Sequence, residues 1–254
     1  MSATLSSNRG AVPSIIGHRG ACGHAPENTL SSIKKAYDLG ASWVEFDVKI
    51  TADGEAIVFH DDTLERTSDG VGNVADVALA DIQKLDGGSW FSDAFVGEPI
   101  PTLVDTIKLL DNLSLGANVE IKPVDGLEVE TAEVVCRVIS DHWPQDKALP
   151  LISSFKDDCL AVARARLPEC DRALLVLEVP DDWEARAARG ACNAVHVWFE
   201  PLTLEQVAAI MGAGYPVRSY TVNEPEIAKR LWNWGVESII TNFPEKMLSI
   251  EKNS

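Results

Sequence analysis

The chain is poor in positive charge. Of its 254 residues, 22 are Lys or Arg and 39 are Asp or Glu, a formal net charge of −17. This balance argues against broad contact with a nucleic-acid backbone, which needs clustered cations, and discourages adhesion to anionic membrane surfaces. Cysteine is sparse. Cys22, Cys136, Cys159, Cys170 and Cys192 are odd in number and include no C-x-x-C pair, so reduced thiols are expected in place of a disulfide framework or a zinc site. No apolar run approaches the ~18 residues of a membrane span. The N-terminus offers one base, Arg9, and a short apolar stretch at Val12 to Ile16, too weak a pattern for a secretory signal. Together these absences predict a cytoplasmic protein with no stable membrane association. Internal repeats, low-complexity tracts and linkers are also lacking, which points to one domain spanning 1–254.

What the sequence does contain is chemistry placed at the ends of apolar runs. His18-Arg19-Gly20, Glu45-Phe46-Asp47, His60-Asp61 and Glu120-Ile121-Lys122 supply carboxylates, imidazoles and cations. Side chains two apart on a strand share a face. Glu45 and Asp47 therefore point one way, and Val44, Phe46 and Val48 the other. Glu120 and Lys122 repeat the pattern. Charges on the inner face of a buried strand are costly unless paired or metal-bound. Carboxylates hold hard divalent ions, cations hold phosphate, and imidazoles move protons near neutral pH. This set suits metal-assisted phosphate-ester chemistry.

Strand-like segments are expected at 14–18, 42–50, 117–122, 150–154, 173–178, 194–199, 216–222 and 238–241, with amphipathic helical segments between most of them. Eight strands alternating with helices over this length predict a TIM (β/α)8 barrel, an α/β fold whose enzymes build their sites at the C-terminal rim. His18, Asp47 and Lys122 fall near predicted strand ends, as do Ser153-Ser154, Thr221 and Asn242. A short extra strand at 55–61 ends in His60-Asp61. The following segment, about 62–100, carries Gly-rich turns with Trp90, Phe91 and Phe95, and reads as a small insertion after strand two that caps the rim. Glu27 and Asn28 fit the first turn of a helix. His24 reads as a loop residue, His142 as a helix-end residue and His196 as an inward-facing barrel histidine. Trp198 and Tyr220 lie further toward the rim and either line the site or fill the core.

The ordered set His18-Arg19-Gly20, Pro26-Glu27-Asn28-Thr29, Glu45-x-Asp47, His60-Asp61 and Glu120-Ile121-Lys122 resembles the glycerophosphodiester phosphodiesterase family, and its short cytoplasmic bacterial branch in particular. Gly88-Ser89-Trp90-Phe91 and Tyr220-Thr221-Val222-Asn223 strengthen the resemblance, which runs from about 15 to 244. It implies hydrolysis of glycerophosphodiesters to sn-glycerol 3-phosphate and an alcohol. It also implies one divalent cation, Mg²⁺ or Ca²⁺ with Mn²⁺ also accommodated, on Glu45, Asp47 and Glu120. His18 and His60 match the family's acid/base pair, and Arg19 and Lys122 its phosphate-contacting cations. The expected partner is a small-molecule diester, not nucleic acid, and the oligomeric state is open. The chain departs from the family at Asn242, where Thr-Asp-x-Pro is common and Thr241-Asn242-Phe243-Pro244 stands here. An alternative reading is phospholipase-D-like activity on lysophospholipids by a related barrel, which needs access for an acyl chain. A barrel that binds glycerophosphoryl ligands without turnover is a third; the presence of both histidines speaks against it.

Overall fold

Inward charges and outward aliphatics on the strands, with a helix after nearly every strand, produce a closed barrel. The computed structural model describes residues 11–251. In chain order the elements are β1 (Ile15–His18), α1 (Leu30–Asp38), β2 (Trp43–Ile50), β3 (Ala56–Val58), α2 (Leu79–Ile82), α3 (Leu103–Asn112), β4 (Gly116–Ile121) and α4 (Glu128–His142). There follow β5 (Leu151–Ser154), α5 (Asp157–Arg166), β6 (Arg172–Val176), α6 (Trp183–Gly190), β7 (Ala194–Trp198), α7 (Leu204–Gly212), β8 (Val217–Tyr220), α8 (Pro225–Trp234), β9 (Ser238–Thr241) and α9 (Pro244–Glu251). The sheet order is β1-β9-β8-β7-β6-β5-β4-β2, and β1 pairs with β2 to close the ring. All pairings within the ring are parallel, and β3 alone adds to it antiparallel, against β2. This is the TIM barrel expected from the alternation, with the insertion after its second strand. Among the described residues no helix is long and apolar enough to cross a membrane.

The alternation of side chains sorts the layers. Val44, Phe46 and Val48 are fully buried against α1, α3 and α4 through Ile33, Leu103, Ile107, Val135 and Ile139. Burial of each such side chain contributes about 1.5–3 kcal/mol. On the inner face, Ile16, Trp43, Leu151, Ala173, Ala194 and Ile240 form an apolar floor. Gly116 lies so close to the Trp43 indole that a Cβ there would overlap the ring.

Strand lengths explain where the insertion enters. β2 has eight residues and its neighbour β1 only four. β1 ends its pairing at His18↔Glu45, and the side of β2 that it leaves open is taken by β3, paired Val58↔Val48. The Gly20 N–H bonds the Glu45 carbonyl and the Phe59 N–H bonds the Asp47 carbonyl, the next one on that same side. His18-Arg19-Gly20 and Phe59-His60 are thereby neighbours on one edge of β2.

Some local expectations need correction. α1 begins after Thr29, whose hydroxyl accepts from the Ser32 N–H, so Glu27 and Asn28 precede the helix and do not form its first turn. The left-handed cap of α6 is Ala191 at φ 47°, which follows Gly190, the last helical residue. A helix outside the strand–helix pattern read from the sequence, α9, follows β9.

A buried arginine joins two helix ends at the floor. Arg172, at the start of β6, donates from Nε to the Gly190 carbonyl (3.0 Å), from Nη1 to those of Leu167 (3.1 Å) and Cys170 (2.6 Å), and from Nη2 to that of Ala191 (3.0 Å). One guanidinium thus satisfies carbonyls left over at the C-termini of α5 and α6, where a cation also complements the helix dipoles. Arg172→Leu is expected to lower unfolding free energy by about 3–4 kcal/mol in urea titration, from several charge-assisted bonds lost together.

Candidate active site

The site is assembled from β-strand ends on one side of the barrel. Glu45, Asp47 and Glu120 are buried, and one oxygen of each lies within 4.8 Å of the others. The register places Asp47 directly opposite Glu120 on β4. All the donors are hard oxygens, the set preferred by Mg²⁺, Ca²⁺ or Mn²⁺. Electrostatics point the same way. Burial, then the charges of Asp47 and Glu120, push the Glu45 carboxyl well above its ordinary range. Burial and Asp47 push Glu120 up to about 7. Asp47 goes the other way: burial opposes its ionisation, but Arg19 and then Lys122 outweigh that and hold it below the usual carboxylate range. Two carboxyls that resist ionisation beside one that stays charged form a cluster that a divalent cation relieves.

Two cations border the cluster. Lys122 Nζ lies 3.1 Å from Glu120 Oε1 and 3.3 Å from Asp47 Oδ1. Arg19 places Nε 3.3 Å from Asp47 Oδ2 and Nη1 2.5 Å from Glu27 Oε1. The Arg19 backbone sits in the left-handed region, φ 50°, and its N–H donates to Glu45 Oε2 at 3.1 Å. Such a conformation is uncommon for a residue with a side chain. It is held by Gly20, at φ 86°, where a Cβ would run into the backbone of Ser32. The turn of the His-Arg-Gly motif is therefore fixed by packing on α1.

The two histidines have different partners. His18 Nδ1 donates to Asn242 Oδ1 at 2.7 Å, which leaves Nε2, 4.0 Å from Glu45 Oε2, as the lone-pair nitrogen. Burial, with the Arg19 charge adding to it, lowers the His18 pKa to about 3. His60 Nδ1 instead faces Asp61 Oδ1 at 2.5 Å. Burial lowers its pKa too, but the charge of Asp47 and the bond to Asp61 oppose that shift. Both rings line a cavity of about 570 Å³ together with Arg19, Glu120 and Lys122, and Phe155, Trp198 and Tyr220 form its far wall. A family model described as the glycerophosphoryl diester phosphodiesterase family matches residues 18–246, nearly the whole barrel and every residue of this site.

The chain belongs to this family. Glycerophosphodiester phosphodiesterases of Caldanaerobacter subterraneus subsp. tengcongensis and Bacillus subtilis are each 32% identical to it, over 93% of this chain and 96% and 86% of the relatives. An Oleispira antarctica phosphodiesterase, solved in complex with the product sn-glycerol-3-phosphate, superimposes with a TM-score of 0.92 at 38% identity, covering 95% of this chain and 97% of that one. A glycerophosphodiester phosphodiesterase structure from Agrobacterium tumefaciens gives a TM-score of 0.74 at 25% identity, over 94% and 100% of the two chains.

The residues singled out from sequence gather at one barrel mouth, and several others join them. Asn28, at φ 58°, donates from Nδ2 to Asp47 Oδ2 (2.9 Å) and accepts from the Asp47 N–H (3.2 Å). Lys49 continues the inward face of β2 and donates from Nζ to Asp62 (2.5 Å) and to the Lys122 carbonyl (3.2 Å); its parity with Glu45 and Asp47 was the signal for it. Among the other histidines, His24 bonds Glu245 on the surface. His196, fully buried, accepts from Arg218 at 3.3 Å and does not line the cavity. Cys22 lies 3.8 Å from His18 Nδ1, but burial pushes its thiol up to about 12, so it is no nucleophile.

Arg66, from the segment after β3, carried no motif in the sequence reading. It donates to both oxygens of Glu27 (2.8 and 2.9 Å) and both of Asp61 (2.6 and 2.8 Å). Glu27 holds Arg19 and Asp61 holds His60, so one guanidinium orients two site residues at one remove. The side chain is 45% exposed, which limits its weight in global stability. Arg66→Ala is expected to lower kcat roughly ten- to a hundredfold, the scale of a misoriented catalytic group, with KM and thermal midpoint little changed. A matching loss of thermal stability would instead make Arg66 a purely structural residue.

Proposed function

We propose that this chain hydrolyses glycerophosphodiesters to sn-glycerol 3-phosphate and an alcohol. The observation that carries the reading is the convergence of Arg19, Lys122, two histidines and Glu120 on one cavity, with Glu45 and Asp47 gathered around Glu120. Family membership and the product bound by the Oleispira relative support it. Glu45, Asp47 and Glu120 hold one divalent cation, Mg²⁺ or Ca²⁺, with Mn²⁺ also accommodated by the oxygen donors. When bound, such an ion adds positive charge beside the phosphate and stabilises the charge that builds up there. Arg19 and Lys122 bind the phosphate oxygens.

The histidines differ in role because their partners differ. His18 rests on a neutral amide and is held unprotonated, so it acts as the base. Its Nε2 takes the proton of the neighbouring glycerol hydroxyl as that oxygen attacks phosphorus. His60 is backed by the Asp61 carboxylate, which favours its imidazolium, so it is the acid that protonates the leaving alcohol. The resulting cyclic glycerol phosphate is opened by water with the two roles exchanged. No activated Ser or Cys is required. Residues 62–100 belong to the same domain and act as a cap beside the mouth: Arg66 reaches Glu27 and Asp61, and Glu98 accepts from the Ser31 hydroxyl at 2.7 Å. With five free thiols, the reading places the enzyme in the cytoplasm, acting on water-soluble diesters.

Three outcomes test this. Glycerol 3-phosphate released from a panel of diesters, measured by a coupled assay, should require a divalent ion, and Glu45→Ala should abolish both turnover and calorimetric metal binding. Full activity of that variant in excess chelator would end the metal assignment. Metal affinity should rise between pH 6 and 8, because Glu120, raised to about 7, and Glu45 must shed protons before they bind; a flat profile would contradict it. His18→Ala and His60→Ala should each slow turnover at least about a hundredfold. On a nitrophenyl diester, whose leaving group needs little acid help, only His60→Ala should recover. Recovery of His18→Ala instead would reverse the roles.

A further inference from the structure

We infer that Asn118, Ser153 and His196 hold an internal water beneath the carboxylate cluster, and that this water positions Glu45 for the metal ion. The inference rests on the reading that Glu45, Asp47 and Glu120 bind a divalent cation. It concerns the interior of the barrel below the cavity. The strand register shows which side chains share a level there. Moving from each residue to its partner on the next strand, and then up one residue, leads from Glu45 through Ser153, His196 and Ile240 and back to Glu45 itself. These four come from alternate strands and face inward, the layered interior of such barrels. The same path places Ile16, Asn118, Ala173 and Arg218 in the layer below. Bulky branched side chains ordinarily fill these layers. Here Glu45 shares its level with a hydroxyl and an imidazole, and an amide and a single methyl lie just beneath, which leaves room for a small polar guest.

Each of the three polar side chains is buried and keeps one atom without a hydrogen-bond partner among the described residues: Ser153 Oγ, His196 Nδ1 and Asn118 Oδ1. Buried polar atoms left alone are costly. The three are chemically complementary. Arg218 donates from Nη1 to His196 Nε2 at 3.3 Å, so the neutral ring carries its proton on Nδ1. Burial, with the Arg218 charge adding to it, keeps that ring neutral. The set is therefore one N–H donor, one carbonyl acceptor and one hydroxyl that can do either. Three bonds of this mixture are the usual complement of a buried water. An ion of either sign fits worse, since a cation would meet the His196 N–H and an anion the Asn118 carbonyl. A water that accepts from His196 and Ser153 and donates to Asn118 has one hydrogen left. In the layer of Ser153 and His196, Ile240 offers no acceptor and Glu45 does. Glu45 already takes the Arg19 N–H on Oε2; the water supplies a second donor from below and offsets part of the hydration that burial removes. Metal-binding carboxylates are commonly held by such outer hydrogen bonds.

Threonine and valine have the same shape and differ by one hydroxyl, so Ser153→Thr and Ser153→Val isolate the group that matters. Affinity for Mn²⁺ is read by calorimetry on the whole enzyme, beside the thermal midpoint without metal. Ser153→Val should bind Mn²⁺ about tenfold more weakly than Ser153→Thr, at similar midpoints. Equal affinities overturn the positioning role. A lower midpoint in Ser153→Val with unchanged affinity overturns it too, because Ser153 would then serve packing alone. If neither variant folds, Ser153→Ala takes their place: weaker Mn²⁺ binding than in the wild type supports the role, and unchanged binding overturns it. The water itself is counted by deuteron magnetic relaxation dispersion on the metal-free protein. The wild type should hold one more long-lived internal water than Ser153→Val, or than Ser153→Ala where that variant stands in; equal counts overturn the inference. A wild type that binds no divalent ion overturns the metal reading and this inference with it. Wild-type binding that persists undiminished in Ser153→Val removes the inference alone and leaves the metal reading intact.

Discussion

Everything in this barrel is arranged around three carboxylates confined within 4.8 Å in a buried place. Like charges so close, away from water, repel strongly, and the fold answers with opposite charge from two directions. Lys122 comes from the strand that carries Glu120, and Arg19 comes from a strained turn on the neighbouring strand. Neither cation neutralises the cluster fully, since Glu45 and Glu120 remain reluctant to ionise. The imbalance is useful. A site that were already balanced would gain little from a metal ion and would offer no positive field to a phosphate.

The insertion after β2 shares in this balance. It enters because β2 outruns β1, and it returns charged residues to the site from above. Lys49 is tied to Asp62, and Glu27 and Asp61 are tied to Arg66. The carboxylates that orient Arg19 and His60 are thus themselves held by one residue of the insertion, and a loop of variable appearance becomes part of the electrostatic frame.

The barrel and the inner ring of charges were legible in sequence because both follow local rules. Alternation at Trp43 to Val48 and at Asn118 to Lys122 fixes which side chains face inward, and eight such runs with helices between them leave few architectures. What supports those charges was not legible. Glu27 and Asn28 suit a helix start as well as they suit their roles beside Arg19 and Asp47, and only the extended Thr29 and the positive φ of Asn28 separate the two. Asn242 stood out as a departure from the family pattern, yet its bond to His18 spans 224 residues, a distance that no periodicity reports. Arg66 is half exposed, in a segment of turns, where nothing marks one arginine from another. Ala191 adopts a glycine-like conformation because helix α6 continues through Gly190.

The strands farthest apart in the chain, β1 and β9, lie side by side in the ring, and His18 meets Asn242 across that seam. The two residues are separated by 224 positions in the chain, so while the intervening strands are being made His18 has no amide to fix its tautomer, and β1 pairs on only one side. The nascent chain can set the carboxylates of β2 and β4 side by side long before His18 has its Asn242 partner. The His18–Asn242 contact forms only once β9 is in place, and a chain cut short at any earlier strand carries an acidic pocket whose His18 has no amide beside it.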